Sequence, residues 1–359
     1  MLRYQKFKMN NFWCIFILSF LFLSCGTQKD QGIKRDYHEL ADFEGHPILF
    51  YNTENLFDTI DSPGVIDEEY TPSSEKNWNT ERYFDKINKL TKTISFPENH
   101  QPLLIGLCEV ENAKVINDLI KAENLKKSKL KFVHFDSPDQ RGIDVALVYD
   151  EERFSPLHKE KIPINLNDPE ARPTRDILYV KGLIKGNFEI HVFVNHWPSR
   201  HGGEETSRPK RIRAAESLKH AVDSIIEKEP NANIIIMGDL NDHPTDVAVE
   251  TTLGAKNPAN HSNALLLNLQ YEAHLNGKGS YSYKGEWGVL DHLIISSALF
   301  KGENALKVKE QNSFILYEDF LLYKNSSGVV SPSRTYGGNN YYGGYSDHLP
   351  VYLYLTRVK

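Results

Sequence analysis

The stretch of sequence that decides the fold is Ile234-Ile235-Ile236-Met237-Gly238-Asp239-Leu240-Asn241. Its first part is an apolar run with the length of a buried strand. Side chains two apart in a strand point to the same face, so Ile235 and Met237 share a face with Asp239, and Asn241 lies two residues further. Polar groups therefore appear where the inward face of this strand leaves the core.

Three other apolar runs end in the same way, with alternate apolar residues leading along one face to a polar residue. The polar ends of these runs are Asn52, Glu109 and His196. If the four ends meet at one rim of a sheet, they form a pocket of carboxylates, amides and imidazole. The alternative is that each residue merely ends its strand, as Asn, Asp and His often do. Four such ends together favour the pocket.

Between Pro47 and Leu355 we find no long Pro/Gly/Ser tract, repeat or charge block, which predicts one domain over residues 47–359. Helical spacing is clear over Tyr83–Ile94 and again from near Ser207 and Pro209 to Ile226. Strands are predicted at Ile48–Asn52, Leu103–Glu109, Lys131–Phe135, Val145–Tyr149, Ile177–Ile184, Phe188–His196, Ile234–Asp239, Leu290–Ile295 and Val351–Leu355. This pattern predicts an α/β (α+β) fold, a four-layer sandwich of two mostly antiparallel sheets with helices packed outside.

The composition is that of a globular chain. The protein has 359 residues, 40% apolar content and 42 Lys+Arg against 48 Asp+Glu, which gives a formal charge of -6. A general nucleic-acid coat is excluded, because binding phosphate polymers over a whole surface needs many cations. A local basic face is not excluded.

The amino terminus has the pattern of an export signal. Arg3, Lys6 and Lys8 precede the apolar run Phe12–Leu23, which is 12 residues long and shorter than the ~20 that span a bilayer. With Cys25 following, the segment resembles a bacterial lipoprotein signal. Residues 1–24 are then the signal peptide, Cys25 carries the lipid, and residues 25–46 form a tether. An uncleaved anchor and a plain secretion signal are the alternatives.

Removal of residues 1–24 leaves 335 residues with a net charge of -9. Cys14 leaves with the signal, and acylation of Cys25 leaves Cys108 as a lone thiol. No intrachain disulfide is then available, so a large apolar core must stabilise the exported protein. The resemblance to lipoproteins places the protein on the cell envelope, at the periplasm or the outer surface.

Six short motifs occur in one order over nearly all of the mature chain. They are the Asn52 run, Gly106-Leu107-Cys108-Glu109, Asn195-His196, Gly238-Asp239-Leu240-Asn241, Leu290-Asp291-His292 and Ser346-Asp347-His348-Leu349-Pro350. Together they resemble the motifs of the endonuclease/exonuclease/phosphatase superfamily. The family fold is a two-sheet sandwich with helices outside both sheets. The resemblance therefore implies the fold that the periodicity predicts independently.

Carboxylate and amide oxygens are the ligands suited to Mg2+ or Mn2+, and the sequence has no Cys or His cluster at zinc spacing. The resemblance implies that Glu109 is the principal metal ligand, with Asn52 and Asp347 near it. A hard cation of this kind neutralises the charge that grows on phosphate oxygens during hydrolysis.

The resemblance also implies the roles of the remaining site residues. Asp239 and Asn241 orient the attacking water and contact phosphate, and His196 donates a hydrogen bond to the phosphate or the leaving oxygen. His348 is the base or a stabiliser of the transition state. Its neighbour Asp347 points to the opposite side of an extended segment, and the family pattern makes Asp291 the carboxylate that orients the imidazole.

The sequence indicates the substrate less clearly than it indicates the metal ligands and the other site residues. The segment Arg200–Arg213 carries five positive and two negative residues and would steer an anionic substrate towards the site, with Arg200 in contact. The alternative is a solvated helix start. Arg141 is a second candidate for contact with phosphate. The Gly- and Tyr-rich segment Tyr336–Tyr345 would stack bases or lie against lipid, or is simply disordered.

These features predict a metal-dependent phosphoesterase that hydrolyses phosphodiester bonds by in-line attack of water, foremost a nuclease acting on nucleic acid. One alternative is a sphingomyelinase-like enzyme or an inositol or sugar phosphate phosphatase on the same fold. Another is a non-catalytic surface-binding lipoprotein. The oligomeric state cannot be read from the sequence.

Overall fold

A computed structural model describes residues 45–96 and 101–358 of the chain. The predicted signal peptide, Cys25 and nearly all of the predicted tether lie outside these ranges and stay predictions. Within the described ranges, no helix combines the length and the apolar character that crossing a membrane requires.

Most of the described chain is organised as strands. In chain order they are β1 (His46–Leu56), β2 (Leu104–Val110), β3 (Leu130–His134), β4 (Asp144–Asp150), β5 (Phe154–Ile162), β6 (Ile177–Ile184), β7 (Phe188–His196), β8 (Ile234–Asp239), β9 (Ala255–Lys256), β10 (Leu266–Asn268), β11 (Tyr281–Tyr283), β12 (Glu286–Gly288), β13 (Asp291–Ser296), β14 (Leu306–Ile315), β15 (Leu322–Lys324), β16 (Val330–Pro332), β17 (Tyr336–Gly337), β18 (Asn340–Tyr341) and β19 (Val351–Arg357).

The helices are few and connect the strands. They are α1 (Thr80–Ile94), α2 (Ala113–Lys121), α3 (Glu204–Ile226), α4 (Tyr271–Leu275) and α5 (Ser297–Lys301). Two single-turn 3-10 helices, Glu68–Tyr70 and Asp319–Leu321, and one π-helix, Val247–Leu253, complete the helical elements of the described ranges.

Two large mixed sheets form the body of the molecule. The first has six strands in the order β14-β19-β1-β2-β4-β3, and the second has seven in the order β5-β6-β7-β8-β13-β10-β9. Most neighbours are antiparallel, and the pairs β1–β2, β7–β8 and β9–β10 are parallel. The α/β class with two mostly antiparallel sheets, as predicted from the sequence, is confirmed.

The two sheets pack closely against each other. Apolar side chains of both sheets belong to one buried cluster, in which Phe50 comes from β1 and Met237 from β8. Gly106 on β2 leaves the space that Met237 fills, because a Cβ at position 106 would collide with the sulfur of Met237. This glycine permits the sheets to approach at the centre of their contact.

Helices contact each of the two sheets. On the first sheet, the hydroxyl of Tyr352 on β19 donates a hydrogen bond to the carbonyl of Thr93 on α1 (3.3 Å). On the second sheet, Ala215 and Leu218 of α3 join a separate buried cluster with Phe193 and Ile236 from β7 and β8. These contacts place apolar side chains on both faces of the central strands, as their nearly continuous apolar sequence requires.

The sequence located the central strands of both sheets and missed several strands at or near their edges, among them β5, β10 and β14. The predicted bounds of β6, β7 and β8 agree with the structure, whereas β5 was not predicted, because it is an edge strand that alternates little and carries exposed charges. The predicted start of α3 near Ser207 and Pro209 was wrong. The helix begins at Glu204 after Gly203, and Pro209 lies inside it.

The approach of the sheets can be tested at Gly106. Gly106→Ala inserts a methyl group against Met237, so we expect the free energy of unfolding to fall by about 1–3 kcal/mol in urea denaturation. In a Met237→Ala background the same change should cost less, because the obstructing sulfur is gone. An equal cost in both backgrounds would contradict this account of the packing.

Candidate active site

The strand pairings bring the polar residues to one rim. Asn52 pairs with Cys108, the neighbour of Glu109, and the β1–β2 register shifts just beyond this point. In the second sheet, Asp239 lies between His196 on the parallel strand β7 and Asp291 on the antiparallel strand β13. Asp347 and His348 reach the same rim from the loop before β19.

Asn52 links the two sheets at the rim. Its side-chain Nδ2 donates to Glu109 Oε1 on the first sheet at 3.3 Å and to Asp239 Oδ2 on the second sheet at 3.1 Å. Its carbonyl accepts a hydrogen bond from the hydroxyl of Ser346 at 2.7 Å. One buried residue thus holds both carboxylates and the loop that carries Asp347 and His348.

Glu109 adopts a strained backbone conformation. Its φ is +59°, in the left-handed region that side chains with a Cβ rarely occupy. The surroundings hold it there, because the Thr53 hydroxyl donates to the Glu109 carbonyl (3.0 Å) and the Asn55 backbone N–H donates to Glu109 Oε2 (2.9 Å). The strain turns the carboxylate towards Asn52 at the rim.

His348 and Asp291 form a buried pair. His348 Nδ1 lies 2.7 Å from Asp291 Oδ2, and Nε2 points towards Asp239, with 3.8 Å to Oδ2. Burial by itself lowers the pKa of His348, but the carboxylates of Asp291 and Asp239 outweigh burial and hold that pKa well above its usual range. Asp291 therefore fixes the orientation of the ring and favours its cationic form.

Asp239 lies at the centre of the rim. Its Oδ1 accepts the backbone N–H of Asn241 at 2.9 Å. Burial raises the pKa of Asp239 to about 7, with Asp291 and Glu109 adding to the rise and the cationic His348 opposing it. The mutual repulsion of these buried carboxylates thus favours the protonated form of Asp239.

His196 faces two of these carboxylates. Its Nε2 lies 3.8 Å from both Glu109 Oε1 and Asp239 Oδ2, and its buried Nδ1 has no hydrogen-bond partner among the described residues. Burial and the nearby charges of Arg175 and Arg141 hold the pKa of His196 well below its usual range. A neutral His196 can donate one hydrogen bond into the site.

The remaining predicted residues lie at the border of the site with partners of their own. Asn241 Nδ2 donates to the Trp197 carbonyl at 3.1 Å. Arg200 donates to the Asn241 carbonyl and pairs with Asp246, both at 2.8 Å. Arg141 pairs with Asp139 at 3.2 Å, and its charge interacts with Glu109. The substrate contacts predicted for both arginines stay predictions.

The basic segment that follows His196 is largely neutralised by acidic neighbours. Besides Arg200, it contains Arg208, Arg211 and Arg213, which pair with Glu205, Asp242 and Glu216 at 2.5–2.7 Å. Arg211 is fully buried against Asp242. These side chains stabilise α3 and the turn after β8, and they offer less free charge to a substrate than the sequence indicated.

Three residues next to the rim were not predicted. Glu54 Oε2 accepts the Thr335 backbone N–H at 2.6 Å and lies 3.7 Å from the buried ammonium of Lys86. Arg334 pairs with Asp347 at 3.0 Å. One signal was available in the sequence, because Lys86 occupies the apolar stripe of α1 beside Tyr83 and Ile87. A charged residue in such a stripe indicates a buried ionic partner.

The Tyr-rich segment is ordered around a short hairpin, β17–β18. Tyr336 packs against Trp78 with ring centroids 5.9 Å apart, and the Tyr341 hydroxyl donates to Asp85 at 2.9 Å. The guanidinium of Arg82 lies 4.3 Å from the Tyr341 ring. This segment is held against the start of α1 and forms one wall of a cleft of about 250 Å³ that opens beside Asp347.

The donor set fits a hard divalent cation. Glu109, Asp239, Asp291 and Asp347 meet at the rim, and ligand atoms of Asp239, Asp291 and His348 lie within 4.8 Å of one another. His348 and Asp291 already pair through Asp291 Oδ2, whereas Glu109 presents a partly exposed carboxylate. Oxygen donors with an excess of negative charge are what Mg2+ or Mn2+ prefers.

Comparison with known proteins agrees with this arrangement. A model of the family described as "Endonuclease/Exonuclease/phosphatase family" matches residues 47–357. The chain belongs to this family. Members of the endonuclease/exonuclease/phosphatase family are phosphoester hydrolases and include nucleases, phosphatases and phosphodiesterases. No curated protein matches the chain.

Solved structures share the family fold at low sequence identity. A mannosyl-6-phosphatase from Bacteroides thetaiotaomicron is 14% identical with a TM-score of 0.56, covering 87% of this chain and 99% of its own. A humanized TDP2 from D. rerio is 14% identical with a TM-score of 0.54, covering 87% and 98%. The human Nocturnin catalytic domain is 14% identical with a TM-score of 0.51, covering 88% and 95%.

The strain at Glu109 predicts an unusual order of stabilities. Glu109→Gly and Glu109→Ala both lose the carboxylate, but glycine adopts a positive φ without a steric penalty. We expect the glycine variant to have the larger free energy of unfolding, by about 1 kcal/mol, in urea denaturation. At Cys108, where φ is not positive, alanine should be the more stable residue. Greater stability of alanine at both positions would rule out strain at Glu109.

Proposed function

We propose that this member of the endonuclease/exonuclease/phosphatase family is a metal-dependent phosphoesterase that hydrolyses phosphate esters by in-line attack of water. The observation that carries the proposal is the bridge of Asn52 between Glu109 and Asp239, beside the His348–Asp291 pair. The bridge supports the proposal because it brings the carboxylates of Glu109 and Asp239 together beside a His–Asp pair, and carboxylate oxygens next to acid–base groups are what phosphoryl transfer to water needs.

Glu109 would hold Mg2+ or Mn2+, with Asn52 and Asp347 near it. When bound, the cation supplies charge neutralisation for the phosphate oxygens. Asp239 accepts a hydrogen bond from the attacking water and Asn241 holds the Asp239 carboxylate in place. His196 donates to a phosphate oxygen, and Asp291 holds His348 with Nε2 towards the phosphate.

Nucleic acid is the first substrate class in this proposal, with phosphodiester cleavage of nuclease type, as the sequence predicts. Arg141 borders the site and would contact phosphate there, and Arg200 would follow if its pairing with Asp246 opened. A small phosphate ester is the second candidate, favoured by the cleft beside Asp347, which has room for a compact group only.

Dependence on a divalent cation is the direct test. Purified protein with Mg2+ should cleave single-stranded DNA, RNA or small phosphate esters, and a chelator should abolish turnover until Mg2+ is restored. Glu109→Gln should lower kcat at least about 100-fold, whereas Glu160→Gln on the exposed edge strand β5 should not. Turnover that survives both the chelator and Glu109→Gln would refute the proposal. Cation-independent ligand binding without turnover would favour a binding protein.

The role of Asp291 can be separated from its contribution to packing. Asp291→Asn keeps the size of the side chain but removes the charge that orients His348, so we expect kcat to fall about 100-fold or more with little change in KM. Asp144→Asn is a matched control, because Asp144 makes a similar bond to His134 (2.9 Å) at the edge of the first sheet. Equal losses in the two variants would indicate a structural role only.

A further inference from the structure

A buried arginine connects the loop before β4 with the end of β7. Arg175 is only 4% exposed, and each of its three guanidinium nitrogens donates to a group of the protein. The acceptors are the His196 carbonyl at 3.1 Å, the Trp197 carbonyl at 2.5 Å and Asp139 Oδ2 at 3.0 Å. Arg175 therefore fixes Asp139 relative to the backbone of His196 and is not itself available to a substrate.

Asp139 in turn holds Arg141 at three points. Its Oδ1 accepts the Arg141 backbone N–H at 2.9 Å and Nε at 3.2 Å, and its Oδ2 accepts from Nη2 at 3.4 Å. The backbone N–H of Gly142 closes the turn onto the Asp139 carbonyl at 3.0 Å, with a φ of +68° that favours glycine. Because a two-point contact fixes the plane of a guanidinium as well as its position, Asp139 sets the orientation of Arg141.

These three charged side chains carry one positive charge in excess. Burial alone raises the pKa of Asp139, but the guanidinium groups of Arg175 and Arg141 outweigh burial and hold that pKa below its usual range. Asp139 is therefore ionised, and its single negative charge is shared by two cations. Of these cations only Arg141 reaches solvent, with 48% of its side chain exposed. The excess charge is thus presented by Arg141.

Arg141 presents this charge beside the proposed catalytic centre. Its charge acts on the carboxylate of Glu109 and on the imidazole of His196. The backbone agrees with this placement, because β4 begins at Asp144, shortly after Arg141, and Asp144 pairs with Val110, the neighbour of Glu109. Nη1 of Arg141 makes no hydrogen bond to any described residue, so it is free to donate to a phosphate oxygen.

We propose that Asp139 is a positioning residue, which holds Arg141 so that its free Nη1 contacts a non-bridging oxygen of the phosphate bound at the Glu109 centre. The inference rests on the proposed function. Arg175 gives the arrangement its second purpose, because it keeps a fixed spacing between two donors to the phosphate, Arg141 before β4 of the first sheet and His196 at the end of β7 of the second. Such a contact favours binding of the ester and of inorganic phosphate alike.

Asp139→Asn tests the role, because it keeps the shape of the side chain and removes its charge. Without the carboxylate the guanidinium of Arg141 is no longer held in one orientation. We expect the Kd of inorganic phosphate, measured by calorimetry with Mg2+, to rise about tenfold. KM should rise to a similar extent, with little change in kcat, for a DNA oligonucleotide or p-nitrophenyl phosphate, whichever the wild type cleaves.

A positioning role also predicts that Asp139 acts only through Arg141. In an Arg141→Met background, where the phosphate contact is already lost, Asp139→Asn should change the Kd of phosphate by less than about twofold. The same loss in both backgrounds would indicate a structural role and would overturn the proposal. An Arg141→Met variant that binds phosphate as tightly as the wild type would overturn it as well.

Asp150→Asn is the matched control, because Asp150 makes the same kind of contact at the opposite end of β4. Its Oδ2 pairs with Arg153 Nε at 2.6 Å, and its Oδ1 accepts the backbone N–H of Glu152 at 2.9 Å. This variant should leave the Kd of phosphate and KM unchanged. A tenfold loss here too would mean that the loss of any such Asp–Arg pair has this effect, and the proposal would be wrong.

Arg141→Lys gives an answer even if Asp139→Asn unfolds below the assay temperature. Lysine keeps the charge but cannot make the two-point contact with Asp139. Its Kd for phosphate should therefore lie closer to that of Arg141→Met than to that of the wild type. Full restoration by lysine would show that charge without orientation is sufficient, which contradicts a positioning role for Asp139.

The two proposals fail in distinguishable ways, because phosphate binding requires no turnover. A wild type that binds phosphate through Arg141 but cleaves no ester with Mg2+ contradicts the proposed function. Cleavage with a KM that neither Asp139→Asn nor Arg141→Met changes contradicts only the role of Asp139. Absence of both cleavage and phosphate binding contradicts both proposals.

Discussion

The hydrogen bonds of the Asn52 amide fix the distance between the two sheets at the rim. Asn52 stands on the first sheet with Glu109, and Asp239 stands on the second, so bonds of 3.3 and 3.1 Å close the gap between them. The Asn52 amide can reach both carboxylates only if the two sheets also pack closely next to the rim. Gly106 permits this packing, because it leaves room for the side chain of Met237. The bridge of Asn52 also requires the strained φ of Glu109, because an ordinary strand residue would turn its carboxylate elsewhere.

Burying several carboxylates at one rim costs electrostatic free energy. The neighbouring groups compensate each carboxylate to a different extent. Asp291 has His348 as a charged partner, and Asp347 has Arg334, while Asp239 responds with a raised pKa of about 7. Among the described residues, the donors within hydrogen-bond distance of the Glu109 carboxylate are neutral: the Asn52 amide and the Asn55 backbone N–H. A divalent cation beside Glu109 would neutralise the remaining negative charge. The accumulation of carboxylates at the rim thus accounts both for its polarity and for the proposed cofactor.

The alternation of side chains explains why the sequence predicts so much of the centre. Four rim residues, Asn52, Glu109, His196 and Asp239, continue the inward face of an apolar strand and were identified without knowledge of the pairing, whereas Asp291, Asp347 and His348 were identified from the family resemblance. Arg334 follows no period, and the pairing of Glu54 with Lys86 joins segments that are far apart in the chain, so these contacts were not predicted. The charge of the Arg200–Arg213 segment was misleading for the same reason, because counting residues does not reveal which carboxylate each arginine meets.

The rim and the cleft beside Asp347 are therefore built from different parts of the chain. Most of the rim residues lie at strand ends that the packing of two sheets fixes, whereas most of the residues that line the cleft lie on loops. The Glu54–Lys86 pair joins these parts, because Glu54 lies on β1 two residues after Asn52 and accepts the backbone N–H of Thr335. The loop that carries Asp347 is therefore anchored to β1 at two points, by the Glu54 carboxylate and by the Ser346 hydroxyl, which donates to the Asn52 carbonyl. This anchoring fixes the position of the cleft relative to the rim.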